Sequence, residues 1–333
     1  MECRQGLESV NPEAGMIKDF EIVTQILTDR ARELAKGCSR VFVAVSGGID
    51  SSLVAALLCK SFSPEQVVGL YRNIRNDPKH WVDVKALQAV FGFRLIRFDG
   101  DEIYEAILKQ LKDCFADCGL PWAHENSPDA EELGFSNAYA SLKSRLTTPL
   151  AGFISKAIDN GNGRIFGTGN GEEDMFLRYF DKFGDGAVDN NIINGLTKAE
   201  VRQLARYLGV PEHIVTKTPS ADLHAIGDGH NDEDQLTRWA KQKGYDVEMS
   251  YGACDGSCEG NIAWAWKEDT ENNVITGENA DLSPDQLEMF FRYTPWQVQT
   301  ILFMREIERS TRHKVDAIPG LERKRLIDEG VVE

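Results

Sequence analysis

Apolar residues Ile17, Phe20, Val23, Ile26, Leu27 and Leu34 recur at the spacing of a helix, so residues 17–36 are predicted to form an amphipathic helix laid on a core. The pattern then changes. Val41-Phe42-Val43-Ala44-Val45 is apolar without interruption, as expected of a parallel strand buried on both faces. Shorter β-like runs follow at 67–71, 94–98 and 164–166, separated by helix-like segments such as 82–91 and 102–111. Strands alternating with helices predict an α/β fold, doubly wound about a mostly parallel sheet with its ligand site at the carboxyl ends of the strands. Residues 142–158 read as a helix with a kink or break near Thr148, because Pro149 lacks the donor that a helix needs there.

Beyond Leu223 the pattern loosens. Residues 227–234 are polar and rich in glycine and acid, and 269–279 are polar again, so 224–283 are predicted to be an insertion on a core spanning 17–223. Helical periodicity returns over 290–307, with Tyr293 and Pro295 near its start and Val298, Ile301, Leu302 and Ile307 on its apolar face. Residues 284–333 are therefore expected to return to the core as helices. No internal repeat interrupts this arrangement.

Composition narrows the function. The 333 residues are 42% hydrophobic and 27% charged, ordinary for a globular protein with one main core. With 37 basic and 53 acidic residues the formal charge is −16, which opposes the broad basic surface that long nucleic acids require. A local site of backbone amides and metal still admits a nucleotide. No stretch approaches the roughly 20 apolar residues of a membrane span, and residues 1–16 are polar without a signal-like apolar run, so a cytoplasmic protein is expected. Seven cysteines, an odd number, suit reduced thiols. Two C-x-x-x-C pairs, Cys114 with Cys118 and Cys254 with Cys258, offer four thiolates to zinc; the plainer reading is chance spacing, since structural zinc sites more often use C-x-x-C.

The chemistry concentrates in Ser46-Gly47-Gly48-Ile49-Asp50-Ser51-Ser52, placed between the apolar strand and the apolar-periodic segment 53–58. Two glycines let backbone amides turn inward, and the following helix start adds unpaired N–H donors, so the loop is a cradle for phosphate. Ser46, Ser51 and Ser52 would add hydroxyl donors, and Asp50 would hold a magnesium ion against the phosphates. No Lys-Ser/Thr ending follows, which separates the loop from a Walker A motif. The plain alternative is a glycine turn that merely joins strand to helix.

This heptad resembles the PP-loop of the N-type ATP pyrophosphatases, enzymes that cleave ATP between the α- and β-phosphates and activate a substrate as its adenylate. Four further motifs follow in order: Gly167-Thr168-Gly169-Asn170-Gly171-Glu172-Glu173, Tyr179-Phe180-Asp181-Lys182-Phe183-Gly184-Asp185-Gly186, Gly195-Leu196-Thr197-Lys198 and Lys217-Thr218-Pro219-Ser220-Ala221-Asp222-Leu223. Their order and spacing resemble the ammonia-dependent NAD synthetase family over about 17–223, with a weaker echo at Arg312-His313-Lys314. The resemblance implies ATP and Mg2+, with Asp50 and Glu173 as metal ligands. It implies ATP contacts from Ser46, Gly47, Gly48, Asp50, Ser51, Ser52, Thr168, Lys217 and Ser220, and catalytic roles for Asp50, Glu173 and Lys217. Arg145, Asp181, Lys182 and Asp185 fall in the region of the acid substrate. Glu172 and Asp174 read as solvated helix charges, Lys198 as the start of a helix surface, and Asp185 divides between turn and substrate residue.

The implied reaction needs no protein nucleophile: a carboxylate attacks the α-phosphorus of ATP, and ammonia displaces AMP from the acyl-adenylate. A glutaminase domain would need its own fold, so free ammonia is expected, with a separate glutaminase partner left open; the resemblance also implies a homodimer. Departures bear on the acid. Asp181 stands where the family usually has Thr, one extra residue lies between Glu173 and Gly184, and in Ser141-Leu142-Lys143-Ser144-Arg145-Leu146-Thr147 the family's second Arg is Thr147. The segment 225–279 is longer than the family's loop over the site and reads as a substrate lid. The resemblance implies nicotinate adenine dinucleotide as the acid, and the departures keep another acid such as nicotinate mononucleotide as the alternative. A nucleotide-binding regulator without catalysis is a third reading, opposed by the intact Asp50 and Glu173, and a tRNA-thiolating enzyme is opposed by the acidic balance.

Overall fold

A computed structural model of the protein describes residues 16–125, 127, 134–218, 231–253 and 259–316. Five strands, β1 (Val41–Ala44), β2 (Val67–Asn73), β3 (Arg94–Asp99), β4 (Arg164–Gly167) and β5 (Asn190–Asn191), form one parallel sheet in the order β3-β2-β1-β4-β5. Val41 is in register with Val67 on one side and with Arg164 on the other. The chain therefore leaves β1 toward β2 and β3 and later crosses to β4, opening a crevice at the carboxyl end of β1.

The sheet is flanked by α1 (Phe20–Leu34), α2 (Ile49–Ser61), α3 (Pro78–Phe91), α4 (Asp101–Asp117), α5 (Phe135–Ile158), α6 (Lys198–Tyr207) and α7 (Glu212–Val215). Side chains alternate across β1: Val41 and Val43 pack with Leu53, Leu57, Val201 and Leu204, whereas Phe42 packs with Val68, Leu70 and Ala151 on the other face. Burial on both sides is what the unbroken apolar run of β1 requires. Helix α2, apolar on every side, is the central helix and is buried from Ile49 through Leu58 apart from Asp50.

Two helix expectations are corrected. Ile26 is 60% exposed, because α1 turns Thr24, Thr28 and Ala31 inward instead. The two threonine hydroxyls donate to the carbonyls of Phe20 and Gln25, which makes them acceptable in a core. Helix α5 runs unbroken through Pro149. Thr148, where a break was expected, donates its hydroxyl to the carbonyls of Phe183 and Gly184.

The C-terminal residues build a second core. Helices α8 (Asp232–Gln242), α9 (Asn261–Asn272), α10 (Pro284–Phe291) and α11 (Pro295–Thr311) gather Leu236, Ile262, Val298, Ile301 and Phe303 around Phe176 and Leu177 of a π-helical turn, Gly171–Leu177. Helices from both sides of residue 283 share this core. The helical periodicity expected over 290–307, with its start near Tyr293 and Pro295, is met by α11, which Thr294 and Pro295 begin; Phe290 and Phe291 close α10, and Arg292 between the two helices turns left-handed at φ +58°. Cys114 and Cys118 are exposed thiols, Cys254 and Cys258 lie outside the described residues, and no zinc-like cluster exists among the described residues. None of the described helices is long and apolar enough to cross a membrane.

Candidate active site

The loop after β1 is shaped by one glycine in particular. Gly47 has φ +84°, and a Cβ there would lie 2.8 Å from the His80 carbonyl of α3, so this position needs glycine both for its backbone and for its space. Gly48 caps α2 without a side-chain hydrogen bond, leaving first-turn N–H groups for a ligand. Among the three serines only Ser46 is exposed; its Oγ accepts from the Gly48 N–H. Ser51 and Ser52 are buried and donate to the Gly48 carbonyl, so here they shape the loop.

Asp50, in the first turn of α2, meets the π-helical turn across the crevice. Asn170 holds the two together: its Nδ2 donates to Asp50 Oδ1 at 2.9 Å while its Oδ1 accepts the Glu173 N–H at 3.0 Å. Between the carboxylates lies Lys198, whose Nζ is 2.6 Å from Asp50 Oδ2 and 2.7 Å from Glu173 Oε1. Its side chain is 3% exposed. Lys198 opens α6 behind the Thr197–Glu200 capping box, and its own N–H is received by the carboxylate of Glu172. The expectation that Lys198 begins a helix surface is therefore corrected, as is that of a solvated Glu172, which is wholly buried.

Burial would lower the Lys198 ammonium, but the Asp50 and Glu173 carboxylates overcome it and hold the group charged above its usual range. Burial pushes the Glu173 carboxyl up, opposed by Lys198 and reinforced by Asp50 and Asp232. Burial likewise raises Glu172 and Asp174, each to about 7. One cation thus faces an excess of carboxylate, and the oxygen donors of Asp50 and Glu173 suit Mg2+. Among the described residues no group of three or more such ligands exists.

Thr168 follows β4 at its carboxyl end, on the same rim. Lys217 is brought to the loop's other flank, where its Nζ lies 2.8 Å from Asp83 Oδ2, and not to the Asp50–Glu173 pair. Ser220 lies outside the described residues. In the acid region, Arg145 Nε is 2.9 Å from Asp181 Oδ1, and Ser141 donates to the other oxygen. Burial would raise the Asp181 carboxyl, but Ser141, Arg145 and the Phe183 N–H hold it below the usual range. Asp185 is exposed yet accepts from Ser144 and from the Asp181 N–H. Lys182 donates to the carbonyls of His313 and Asp316, and Lys314 to those of Arg178 and Phe180, so the Arg312-His313-Lys314 segment closes on this turn. Each charged group in the region is thus held by the protein itself.

A cavity of about 720 Å³ opens beside the loop at the ends of β2 and β3, lined by Tyr71, Asn73, Arg75, Asn76, Pro78, Trp81, Arg97, Asp101, Glu125 and Lys143. The Arg97 guanidinium covers Trp81 at 4.8 Å from the ring centroid. Sequence reasoning missed this cavity, and also Asn170 and Lys198 as members of the centre. The available signals were the motifs that carry Asn170 and Lys198; nothing local marks Trp81.

Comparison with known proteins bears on the family and on the fold. The family model described as NAD synthase matches residues 21–242. An NH3-dependent NAD+ synthetase of Carboxydothermus hydrogenoformans is 34% identical over 220 residues, 66% of this chain and 81% of that protein. One from Halobacterium salinarum is 35% identical over 192 residues, 57% of this chain and 63% of that protein. Among solved structures, NMN synthetase from Francisella tularensis superposes with TM-score 0.63 at 19% identity, covering 92% of this chain and all of that one. NH3-dependent NAD synthetase from Campylobacter jejuni, in complex with nitrate ion, gives 0.60 at 21% identity over 92% of this chain and 100% of that one. At these identities the two structures speak for the fold.

Proposed function

The chain belongs to the NAD synthase family, and from that premise we propose that it is an ATP-dependent ligase that adenylates the carboxylate of nicotinate adenine dinucleotide and transfers ammonia to it, forming the amide, AMP and pyrophosphate. The observation that carries this reading is the buried Lys198 held between Asp50 and Glu173 at the mouth of the phosphate loop.

The triphosphate sits on the N–H groups of the loop and of the first turn of α2. Asp50 and Glu173 would hold Mg2+, which would supply positive charge against the charge developing on the departing pyrophosphate. Lys198 adds fixed positive charge from a water-poor setting, where it acts more strongly than in solvent. An oxygen of the acid attacks the α-phosphorus, the bond from that phosphorus to the bridging β-oxygen breaks, and pyrophosphate leaves. Ammonia then attacks the acyl carbon, AMP leaves on its phosphate oxygen, and the nitrogen gives its surplus proton to solvent. The protein orients the reactants and keeps water from the adenylate. Ser46, Thr168 and Lys217 stand on the rim as further ATP contacts, and the cavity lined by Trp81 and Lys143 takes a nucleoside. The chain is read as using free ammonia, as a homodimer in the cytoplasm.

One observation favours a second acid. Arg145 is occupied by Asp181, which leaves less positive charge for a substrate with two phosphates than for nicotinate mononucleotide with one. The test is pyrophosphate release from MgATP and ammonium with each acid separately and with Asp50→Ala as control. Release with the dinucleotide that the control abolishes supports the first reading, release with the mononucleotide alone supports the second, and no release with any acid overturns both.

A further inference from the structure

Lys198 is also reached from the C-terminal helical unit. Its Nζ lies 5.6 Å from the ring centroid of Tyr251, within range of a cation–π contact. Tyr251 is 5% exposed, and its hydroxyl is buried without a hydrogen-bond partner among the described residues. The contact with the ammonium is therefore made by the ring and not by the hydroxyl.

The backbone around it is fixed on both sides. The Tyr251 N–H donates to Glu233 Oε1 at 2.8 Å, and the Ser250 N–H to Asn261 Oδ1 at 2.9 Å, tying the segment to α8 and α9. Arg202, one turn beyond Lys198 on α6, donates to the Gly252 carbonyl at 3.4 Å. A second contact from the same unit falls on the same centre: Trp266 of α9 packs so closely on Gly171 that a Cβ there would meet it at 2.1 Å, two residues before Glu173.

We propose that Tyr251 is a positioning residue for Lys198, its ring holding the ammonium against Asp50 and Glu173, so that the charge at the MgATP centre is set only when the C-terminal unit is seated. This rests on the reading of that centre as the MgATP site. It makes the C-terminal helices part of the catalytic geometry, since the sheet unit alone leaves the ammonium without this support.

The test is a double-mutant cycle in the full chain, reading MgATP affinity by calorimetry without acid or ammonia for wild type, Tyr251→Leu, Lys198→Met and the pair, with Tyr251→Phe preserving the ring. Tyr251→Leu is expected to weaken MgATP about tenfold, Tyr251→Phe to restore it, and Tyr251→Leu to have no further effect once Lys198 is Met. Equal losses in both backgrounds, or a Phe variant as weak as Leu, overturn the proposal. Urea unfolding of the nucleotide-free protein over the same cycle separates the two readings. If wild type binds no MgATP the ligase reading fails, and then coupled losses support the Tyr251–Lys198 contact whereas additive losses overturn it. Should Lys198→Met not fold, the comparison of Phe with Leu decides alone.

Discussion

The ammonium of Lys198 lies 2.6 Å from Asp50 Oδ2 although 148 residues separate them in the chain. Asp50 comes from the loop after the central strand and Lys198 from the first turn of α6, and α2 and α6 pack side by side through Leu53, Leu57, Val201 and Leu204. The apolar contact between two helices thus sets the distance between two charges. Because Lys198 is buried and faces two carboxylates, removing it leaves negative charge uncompensated in a poorly solvated place.

Lys198→Met is expected to lower kcat/KM for pyrophosphate release by at least about 100-fold and the stability of the nucleotide-free protein by about 3 kcal/mol. Mg2+ should stabilise this variant more than wild type, since the metal then takes up the vacated charge. Urea unfolding with and without Mg2+ checks this, and equal Mg2+ effects on both proteins would contradict it.

Lys217→Met should be milder. Its Nζ is paired with Asp83, beside the loop, and its side chain is 30% exposed. A loss of kcat/KM of about tenfold or less is expected; a loss equal to that of Lys198→Met would place Lys217 in the reacting centre.

Glu172 makes stability fall with pH. Burial raises its folded pKa from 4.5 to about 7, so the folded state keeps a proton that the unfolded state has released. The favourable contribution is complete below about 4.5 and is lost as pH rises to about 7. Glu172→Gln, which can still accept the Lys198 N–H through its amide oxygen, should flatten that part of the stability profile. Chemical denaturation between pH 4.5 and 8 reads it, and an unchanged slope would sink the assignment.

Asp181→Thr frees the Arg145 guanidinium for an anionic substrate. KM for the dinucleotide acid should fall about fivefold with kcat little changed, while stability moves by less than about 1 kcal/mol because Arg145 is largely exposed. Steady-state kinetics with both acids decides; unaltered KM for each would remove Asp181 from the acid site.

Gly47→Ala adds a Cβ at φ +84° against the His80 carbonyl. A stability loss of about 1–3 kcal/mol is expected, together with reduced thermal protection by MgATP. Full protection in the variant would mean that the loop's shape is not what binds the nucleotide.

What the sequence by itself determined is what short stretches of chain decide. The unbroken apolar run 41–45 required a strand buried on both faces, and glycine, hydroxyl and acid within seven residues pointed to a phosphate loop, because those properties depend on neighbours a few bonds away. The alternation of strands and helices carried the α/β fold for the same reason. Four motifs in a fixed order were enough for the family. Tertiary structure alone decided the rest. Lys198 read as a surface lysine and Glu172 as a solvated acid, since a helix start looks the same whether it faces water or two carboxylates. Ile26 lost its place in the core to two threonines whose hydroxyls could be satisfied within the helix. Helices on both sides of residue 283 share one core, and Tyr251 meets Lys198, because contacts between distant segments follow from how helices pack and leave no periodic trace in the residues that make them.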